Sequence, residues 1–342
     1  MRWTGKSVSR IAMNNNPEKP AARYRGLDFA RAFAIVCIFF IHSLEPLSTA
    51  AAEGSWGLQV EKNLLESLVR TGVCLFLGIS GALLLGRQEP LKVFFRKRFR
   101  RIFLPFLFWS VVVYSLDCIL EPPADWSGVV PRFIVAFLTN GVHSIYWFVY
   151  LIIGLYVLPP LLRVVCQAGH SGYLAAVTAA VYLLGTFVPS FQPARFFLCE
   201  GASALLCFVL GDFLFRQKDR KGMRAVAWAA VAVGLSADFV NGMFFHLPYT
   251  AEILTAAGIL LLFLQVPQKE DTGVLAHVVK KTGAYSYGMY LSHFLLISLF
   301  LRLGFSSLPV AWEPFVMVLA VWAAEWLMMR AAERLGLKRL VM

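Results

Sequence analysis

The sequence predicts an all-α, polytopic membrane helix bundle with about ten transmembrane helices and both termini in the cytoplasm. The first observation is composition: the 342 residues are 58% hydrophobic and only 15% charged, with a mean hydropathy of +0.66. Soluble domains are about 45–50% apolar and about 25% charged. The second observation is a series of long apolar runs, and the third is the uneven distribution of lysine and arginine between them.

Ten apolar runs come close to the length of about 20 residues that a helix needs to cross the bilayer core. A further run, 129–140, is apolar but too short, and we interpret it as an interfacial or re-entrant segment. The ten predicted spans are 28–47, 65–86, 102–120, 144–163, 171–189, 198–215, 224–241, 249–265, 284–302 and 312–330.

Lysine and arginine indicate the orientation of these spans, because cytoplasmic loops of membrane proteins carry an excess of both. With the N-terminus in the cytoplasm, the cytoplasmic segments hold most of the 32 lysines and arginines, including the stretch RKRFRR at 96–101. Arg31 and Arg70 fall within predicted spans. The outer segments hold only Lys62, Arg132, Arg195 and Arg302.

One membrane domain, 25–342, is predicted to follow a disordered cytoplasmic tail, 1–24, which is polar and basic and does not resemble a cleavable signal peptide. The net charge of +12 follows from membrane topology, so nucleic acid is not expected as a partner. The six cysteines lie in or beside apolar runs and form no CxxC pair, so neither a metal site nor a disulfide framework is expected.

The first apolar run, RGLDFARAFAIVCIFFIHS (25–43), carries two ionisable groups, Arg31 and His42. Eleven residues of helix rise about 16.5 Å and turn about 20° past three full turns, so both side chains lie on one face. Asp28 is expected to pair with Arg31, and Glu45 to orient the ring of His42. Two interpretations are open: a snorkelling arginine with a structural histidine, or two groups that face a functional cavity. His42 is the only side chain of this span that could act as a general base near neutral pH.

Five stretches, in order and spread over nearly the whole chain, are similar to the motifs of one family. They are RGLDFARAFAIVCIFFIHS (25–43), RTGVCLFLGISGALLL (70–85), FFRKRFRRIFLPFLFW (94–109), SIYWFVYLIIGLYVLPPLL (144–162) and SYGMYLSHFLL (286–296). On these stretches the chain resembles the acyltransferase-3 family of bacterial integral membrane acyltransferases. The resemblance is closest to its small members of the enterobacterial-common-antigen O-acetyltransferase type.

The resemblance implies transfer of an acyl group, usually acetyl, from cytoplasmic acetyl-CoA to a hydroxyl of an envelope or exported glycan, which can be lipid-linked. The enzyme would lie in the bacterial inner membrane. Arg31, Arg98 and Arg101 are expected to bind the phosphates of acetyl-CoA, because the arginine fork matches phosphate. The extended arm of the co-substrate is about as long as the separation of Arg31 and His42. His42 is therefore expected to act as catalytic base, with Glu45 behind it, or to carry the acetyl group transiently.

Further residues are candidates for contact with the substrates. A thioester carbonyl needs an oxyanion donor, and the candidates are Ser80, Tyr146 and Trp147. The acceptor is expected near Glu200, which opens a span close to the outer face, and near His293, which matches a late histidine of the family.

Two positions leave alternatives open. Arg70 is expected either at the substrate site or in an ion pair with Asp117 or Glu200. The chain also departs from the family pattern, which often has a histidine two residues before the tryptophan of the WF pair. Here Ile145 occupies that position and His143 lies two residues further upstream, so the role of this histidine is open.

Two further functions are compatible with the sequence. A ten-helix bundle with arginine and histidine inside the membrane could also be a transporter or flippase for a lipid-linked glycan. Against this, the chain has no internal repeat, and it combines a cytoplasmic cation cluster with a deeper base. The same enzyme type could also transfer another short acyl group, such as succinyl.

Overall fold

The computed structural model describes residues 24–123, 125–187, 201–246, 251–268 and 273–342, and these residues form helices and no strand. The predicted tail falls outside them except for Tyr24. The α-helices are α1 (Arg25–Ser43), α2 (Glu45–Ala52), α3 (Trp56–Val69), α4 (Thr71–Leu84), α5 (Leu91–Arg98), α6 (Leu104–Leu120), α7 (Val129–Leu138), α8 (Trp147–Leu155), α9 (Pro159–Val165), α10 (Ser171–Phe187), α11 (Ala202–Gln217), α12 (Met223–Val240), α13 (Glu252–Leu264), α14 (Val274–Arg302), α15 (Glu313–Arg334) and α16 (Lys338–Val341).

The predicted all-α membrane bundle is confirmed. Within the described residues, seven helical runs are long and apolar enough to cross a membrane. They are Arg25–Ser43, Trp56–Leu84, Leu91–Leu120, Pro159–Thr186, Met223–Phe245, Val274–Arg302 and Glu313–Arg334. The other three predicted spans correspond to shorter helices, Ser144–Leu155, α11 and α13. The chain is therefore a multi-pass membrane protein.

The predicted span 144–163 is wrong, because this segment is not one continuous helix. Its helix ends at Leu155, and a separate helix begins at Pro159 and runs into the next span. Proline has no backbone N–H and suits the first turn of a helix, so Pro159 and Pro160 start α9 and cannot continue α8. The apolar composition of 144–163 conceals this break.

The cationic stretch 96–101, predicted as a loop, is helical. It lies on α5 and on a π-helical turn, Phe99–Phe103, that leads directly into α6. Arginine and lysine are good helix formers, and the fully buried Phe94 fixes one side of α5 against the bundle. The arginines of this stretch therefore lie on a rigid element.

Helix α1 lies inside the bundle and packs most extensively against α14, and then against α4, α15 and α13. Glycines allow the close approach: a Cβ at Gly283 of α14 would collide with the Asp28 carbonyl of α1. Packing with small residues is the usual way for helices to associate in lipid. Arg31 and His42 thus lie on a helix that other helices surround.

Candidate functional site

Arg31 and His42 lie near opposite ends of α1, as predicted. The Arg31 guanidinium donates to the Asp28 carboxylate at 3.1 Å, which confirms the predicted ion pair. Glu45 lies beyond the end of α1, begins α2 and is exposed. Among the described residues, no hydrogen bond joins Glu45 to His42, because the chain turns at Leu44 between the two helices.

His293 is the neighbour of His42. It is fully buried in α14, and the centroids of the two imidazole rings are 5.2 Å apart. Its Nδ1 lies 2.7 Å from the Tyr290 carbonyl oxygen. A carbonyl only accepts, so Nδ1 carries the proton, and Nε2 of the neutral ring has a lone pair. This Nε2 is buried and forms no hydrogen bond within the described part of the chain.

His143, whose role the sequence left open, lies close enough to interact electrostatically with both of these histidines. Its imidazole contacts Phe294, with centroids 4.1 Å apart. His143 Nδ1 accepts from the Ile145 backbone N–H at 3.3 Å, so the proton of its neutral ring is on Nε2. Burial lowers the pKa of His143, and nearby Asp117 partly offsets this effect. We call His42, His143 and His293 the histidine cluster.

Two reciprocal hydrogen bonds hold the segment after His143 against α14. The Tyr146 hydroxyl donates to the Leu291 carbonyl at 3.0 Å, and the Tyr290 hydroxyl donates to the Ile145 carbonyl. Because a phenol has a single proton, Tyr146 cannot also donate to an oxyanion in this arrangement. The bonds fix the position of the histidine cluster.

The other two predicted oxyanion donors differ in availability. The Ser80 hydroxyl donates to the Phe76 carbonyl at 2.9 Å and accepts from the Tyr156 hydroxyl at 3.4 Å, so its proton is committed. Trp147 is 45% exposed, and its indole N–H forms no hydrogen bond with the described residues. Of the three candidates, Trp147 alone has a free proton here.

Arg98, the last residue of α5, belongs to a second group of charged side chains beside this helix. Its Nη2 lies 3.5 Å from Oε1 of Glu89, and Nη2 of Arg163 lies 3.7 Å from the same oxygen. Both guanidinium groups lie over the Phe94 ring, at 4.9 and 4.8 Å from its centroid. We call Arg98, Arg163 and Glu89 the arginine cluster. Sequence reasoning missed Arg163 and Glu89, which are distant from each other in the chain.

Arg101, the other predicted phosphate ligand, is exposed and outside this ion-pair group. A link runs from Arg98 into the bundle instead, because its guanidinium lies 5.9 Å from the centroid of the Tyr156 ring. The Tyr156 hydroxyl reaches Ser80. Among the predicted site residues, Arg98 and Ser80 are therefore linked through Tyr156.

The predictions for Arg70 and Glu200 have different outcomes. Arg70 is exposed between α3 and α4, and its Nη2 lies 3.8 Å from the Glu66 carboxylate. This i,i+4 partner differs from Asp117, the one of the two expected partners that the structure describes, and the sequence spacing alone could have revealed it. Glu200 lies outside the described residues.

The burial of the charged groups indicates what each cluster can do. The histidine cluster offers neutral ring nitrogens that can take or hold a proton inside the bundle. The arginine cluster offers desolvated guanidinium groups that can bind an anion. Across the described ranges, no group of three or more histidine, cysteine or acidic residues could hold a metal ion.

Comparison with protein families identifies one match. The profile of the acyltransferase-3 family, described as an acyltransferase domain, matches residues 24–329. The match includes both clusters and nearly all helices of the bundle. Searches of curated proteins and of solved structures found no match.

Proposed function

Because the chain belongs to the acyltransferase-3 family, we propose that it is an O-acetyltransferase of the enterobacterial-common-antigen O-acetyltransferase type in the bacterial inner membrane. Its donor is cytoplasmic acetyl-CoA, and its acceptor is a hydroxyl of an envelope or exported glycan, free or lipid-linked. The observation that carries the proposal is the pair of His42 and His293. A candidate base lies inside the bundle, 5.2 Å from a buried ring whose Nε2 has no partner among the described residues.

His42 performs the proton transfer. It removes the proton of the acceptor hydroxyl while the hydroxyl oxygen attacks the thioester carbonyl. The carbon–sulfur bond then breaks, and the imidazolium returns its proton to the departing thiolate. In a second route, a ring nitrogen of His42 takes the acetyl group first and passes it to the hydroxyl. Both routes end with a glycan acetyl ester and free CoA.

His293 positions the acceptor. Its Nε2 lone pair accepts a hydrogen bond from a second hydroxyl of the acceptor, which leaves the proton of the reacting hydroxyl to His42. The bond from Nδ1 to the Tyr290 carbonyl keeps the ring in the tautomer that this task needs. Trp147 is the preferred donor to the thioester oxyanion, because the protons of Ser80 and Tyr146 are committed.

The test compares the acetyl content of envelope glycans by mass spectrometry. The strains are wild type, deletion, and deletion complemented with His42→Ala or with His170→Ala, an exposed histidine. We expect acetyl esters in the wild-type and His170→Ala strains and none in the deletion and His42→Ala strains. The protein level of each variant is measured by immunoblot of the membrane fraction.

Two results would contradict the proposal. Wild-type acetylation in the His42→Ala strain would remove His42 from the chemistry. Glycans that are identical in wild type and deletion would remove the glycan as acceptor. A mass difference of succinyl size instead of acetyl size would keep the reaction type and correct the donor.

A further inference from the structure

The arginine cluster adjoins an open cavity of about 460 Å³. The cavity is formed where the end of α4, the start of α5 and α9 meet. Five of its lining residues are charged or amide-bearing: Arg87, Gln88, Glu89, Arg163 and Gln167. By the charge distribution of the sequence, this is the cytoplasmic side of the bundle.

The cations at this cavity are incompletely satisfied. Arg163 is 7% exposed, and its Nε donates to the Leu84 carbonyl at 3.0 Å, but its buried Nη2 has no hydrogen-bond partner. Nε of Arg98 is also buried and unpartnered. Buried polar groups without a partner are uncommon in folded proteins, and buried guanidinium groups are costly when unpaired. These groups therefore indicate a place for an additional anion.

Glu89 compensates the cations only in part. Its Oε1 lies 3.5 Å from Arg98 and 3.7 Å from Arg163, beyond hydrogen-bond distance, whereas its Oε2 accepts from Lys97 at 2.8 Å. One carboxylate thus faces three cations, and Arg87 adds a fourth at the cavity wall. Burial opposes ionisation of Glu89, but the hydrogen bond from Lys97 and the charges of the cations lower its pKa. The net charge around the cavity remains strongly positive.

We propose that this cavity binds the phosphate-bearing adenosine end of the acyl-CoA donor, with Arg163 and Arg98 as its ligands and Glu89 as a carboxylate that the phosphate displaces. The inference rests on the proposed function and adds to it. It assigns the donor's phosphates to Arg163, which the sequence did not single out, and leaves Arg101 exposed beside the site. An arginine pair suits this role because each guanidinium can donate two parallel hydrogen bonds to a phosphate.

The arrangement also explains why Arg163 is held rigidly. Its bond to Leu84 satisfies the C-terminal end of α4, and the Phe94 ring supports its guanidinium face. Little side-chain freedom remains to be lost when an anion binds. Glu89 competes with a bound phosphate for both arginines, so removal of its charge should tighten anion binding.

The test measures binding of acetyl-CoA, and its displacement by adenosine 3′,5′-bisphosphate, to the purified full-length protein in nanodiscs of zwitterionic phosphatidylcholine. The variants are Arg163→Ala, Glu89→Gln and the control Arg100→Ala, which removes the same charge as Arg163→Ala from an exposed position of the basic stretch 96–101. We expect the bisphosphate to displace acetyl-CoA from wild type and Arg100→Ala, and adenosine to fail. In Arg163→Ala the bisphosphate should bind about tenfold more weakly or worse, and in Glu89→Gln more tightly.

The outcomes separate the two proposals. If wild type binds no acetyl-CoA, the proposed donor itself is wrong. If wild type binds acetyl-CoA but the bisphosphate does not compete, the cavity assignment is wrong and the proposed function stands. This comparison uses the wild-type protein alone, so it does not depend on the folding of a variant. The cavity assignment is also wrong if the bisphosphate displaces acetyl-CoA equally well from Arg163→Ala and Arg100→Ala and both variants unfold at the same temperature. If anionic phosphatidylglycerol abolishes acetyl-CoA binding to wild type while Arg163→Ala is insensitive, the cavity is a lipid-headgroup site instead.

Discussion

At the scale of single residues, the ring nitrogens of the histidine cluster are complementary. Nδ1 of His143 accepts a hydrogen bond from a backbone N–H, whereas Nδ1 of His293 donates one to a backbone carbonyl. The neutral rings therefore present a donor nitrogen and an acceptor nitrogen to their surroundings. The ring of His42 lies 5.2 Å from that of His293, so an acceptor that His293 holds would lie within reach of His42.

Substitution of His293 can separate positioning from folding. His293→Asn keeps an amide that can donate to the Tyr290 carbonyl but removes the nitrogen at the Nε2 position. We expect kcat for acetyl transfer to fall about 100-fold, with the Kd for acetyl-CoA unchanged, because misplacement of a reactant by about 1 Å can cost this much. Steady-state kinetics and acetyl-CoA binding are measured on the same preparation.

The matched variants for this test are His293→Gln, which retains an acceptor near the Nε2 position, and His277→Gln, an exposed histidine of the same helix. We expect partial activity in the first and full activity in the second. If His293→Asn and His293→Gln lose activity equally and also unfold at equally lowered temperatures, His293 is a structural residue only.

At the scale of helices, glycines determine how closely α4 and α11 pack. A Cβ at Gly81 would collide with the Phe208 carbonyl, and a Cβ at Gly211 would collide with the Gly78 carbonyl. The backbones approach at these points without intervening side chains. The GISG stretch of α4 is therefore a packing surface.

Gly81→Ala should destabilise the bundle, because the added methyl group meets backbone and not a flexible side chain. We expect a loss of about 1–3 kcal/mol, the usual cost of overpacking, seen as a lower unfolding temperature in detergent. Gly154→Ala is the control, since a Cβ at this exposed position of α8 meets no atom within 4 Å. Unfolding at the same temperature in both variants would contradict the role assigned to the α4–α11 contact.

Local spacing accounts for what the sequence predicted correctly in these helices. The pair of Arg31 and Asp28 is three residues apart on one helix, and hydropathy locates the long spans. The sequence carries no such signal for pairs of residues that only tertiary packing brings together. Glu89 meets Arg163 only because α5 and α9 converge on Phe94, and His143 reaches His293 through the bonds between Ile145, Tyr146 and α14. The break before Pro159, in contrast, had a visible signal in the two prolines.

At the scale of the whole molecule, the arrangement predicts which side of the membrane each cluster meets. The arginine cluster lies among the basic segments, and His42 lies at the opposite end of α1 from Arg31. In the proposed reaction, the donor would enter from the basic side and the acceptor would meet His42 from the other. The orientation itself follows from the distribution of lysine and arginine.

Fusion proteins test this orientation. A green fluorescent protein fused after Met342 should fluoresce, and alkaline phosphatase at the same position should be inactive, because the C-terminus is predicted to be cytoplasmic. Alkaline phosphatase fused after Pro122, between α6 and α7, should be active. The reverse pattern at both positions would place the arginine cluster outside and exclude a cytoplasmic donor.

The bond from His293 to the Tyr290 carbonyl has a consequence for the path of protons. A ring with one nitrogen committed to a backbone carbonyl cannot take a proton on one side and release it on the other. Any proton that reaches Nε2 must leave again from Nε2. His293 therefore cannot relay a proton along α14, and the proposed transfer can proceed without such a relay.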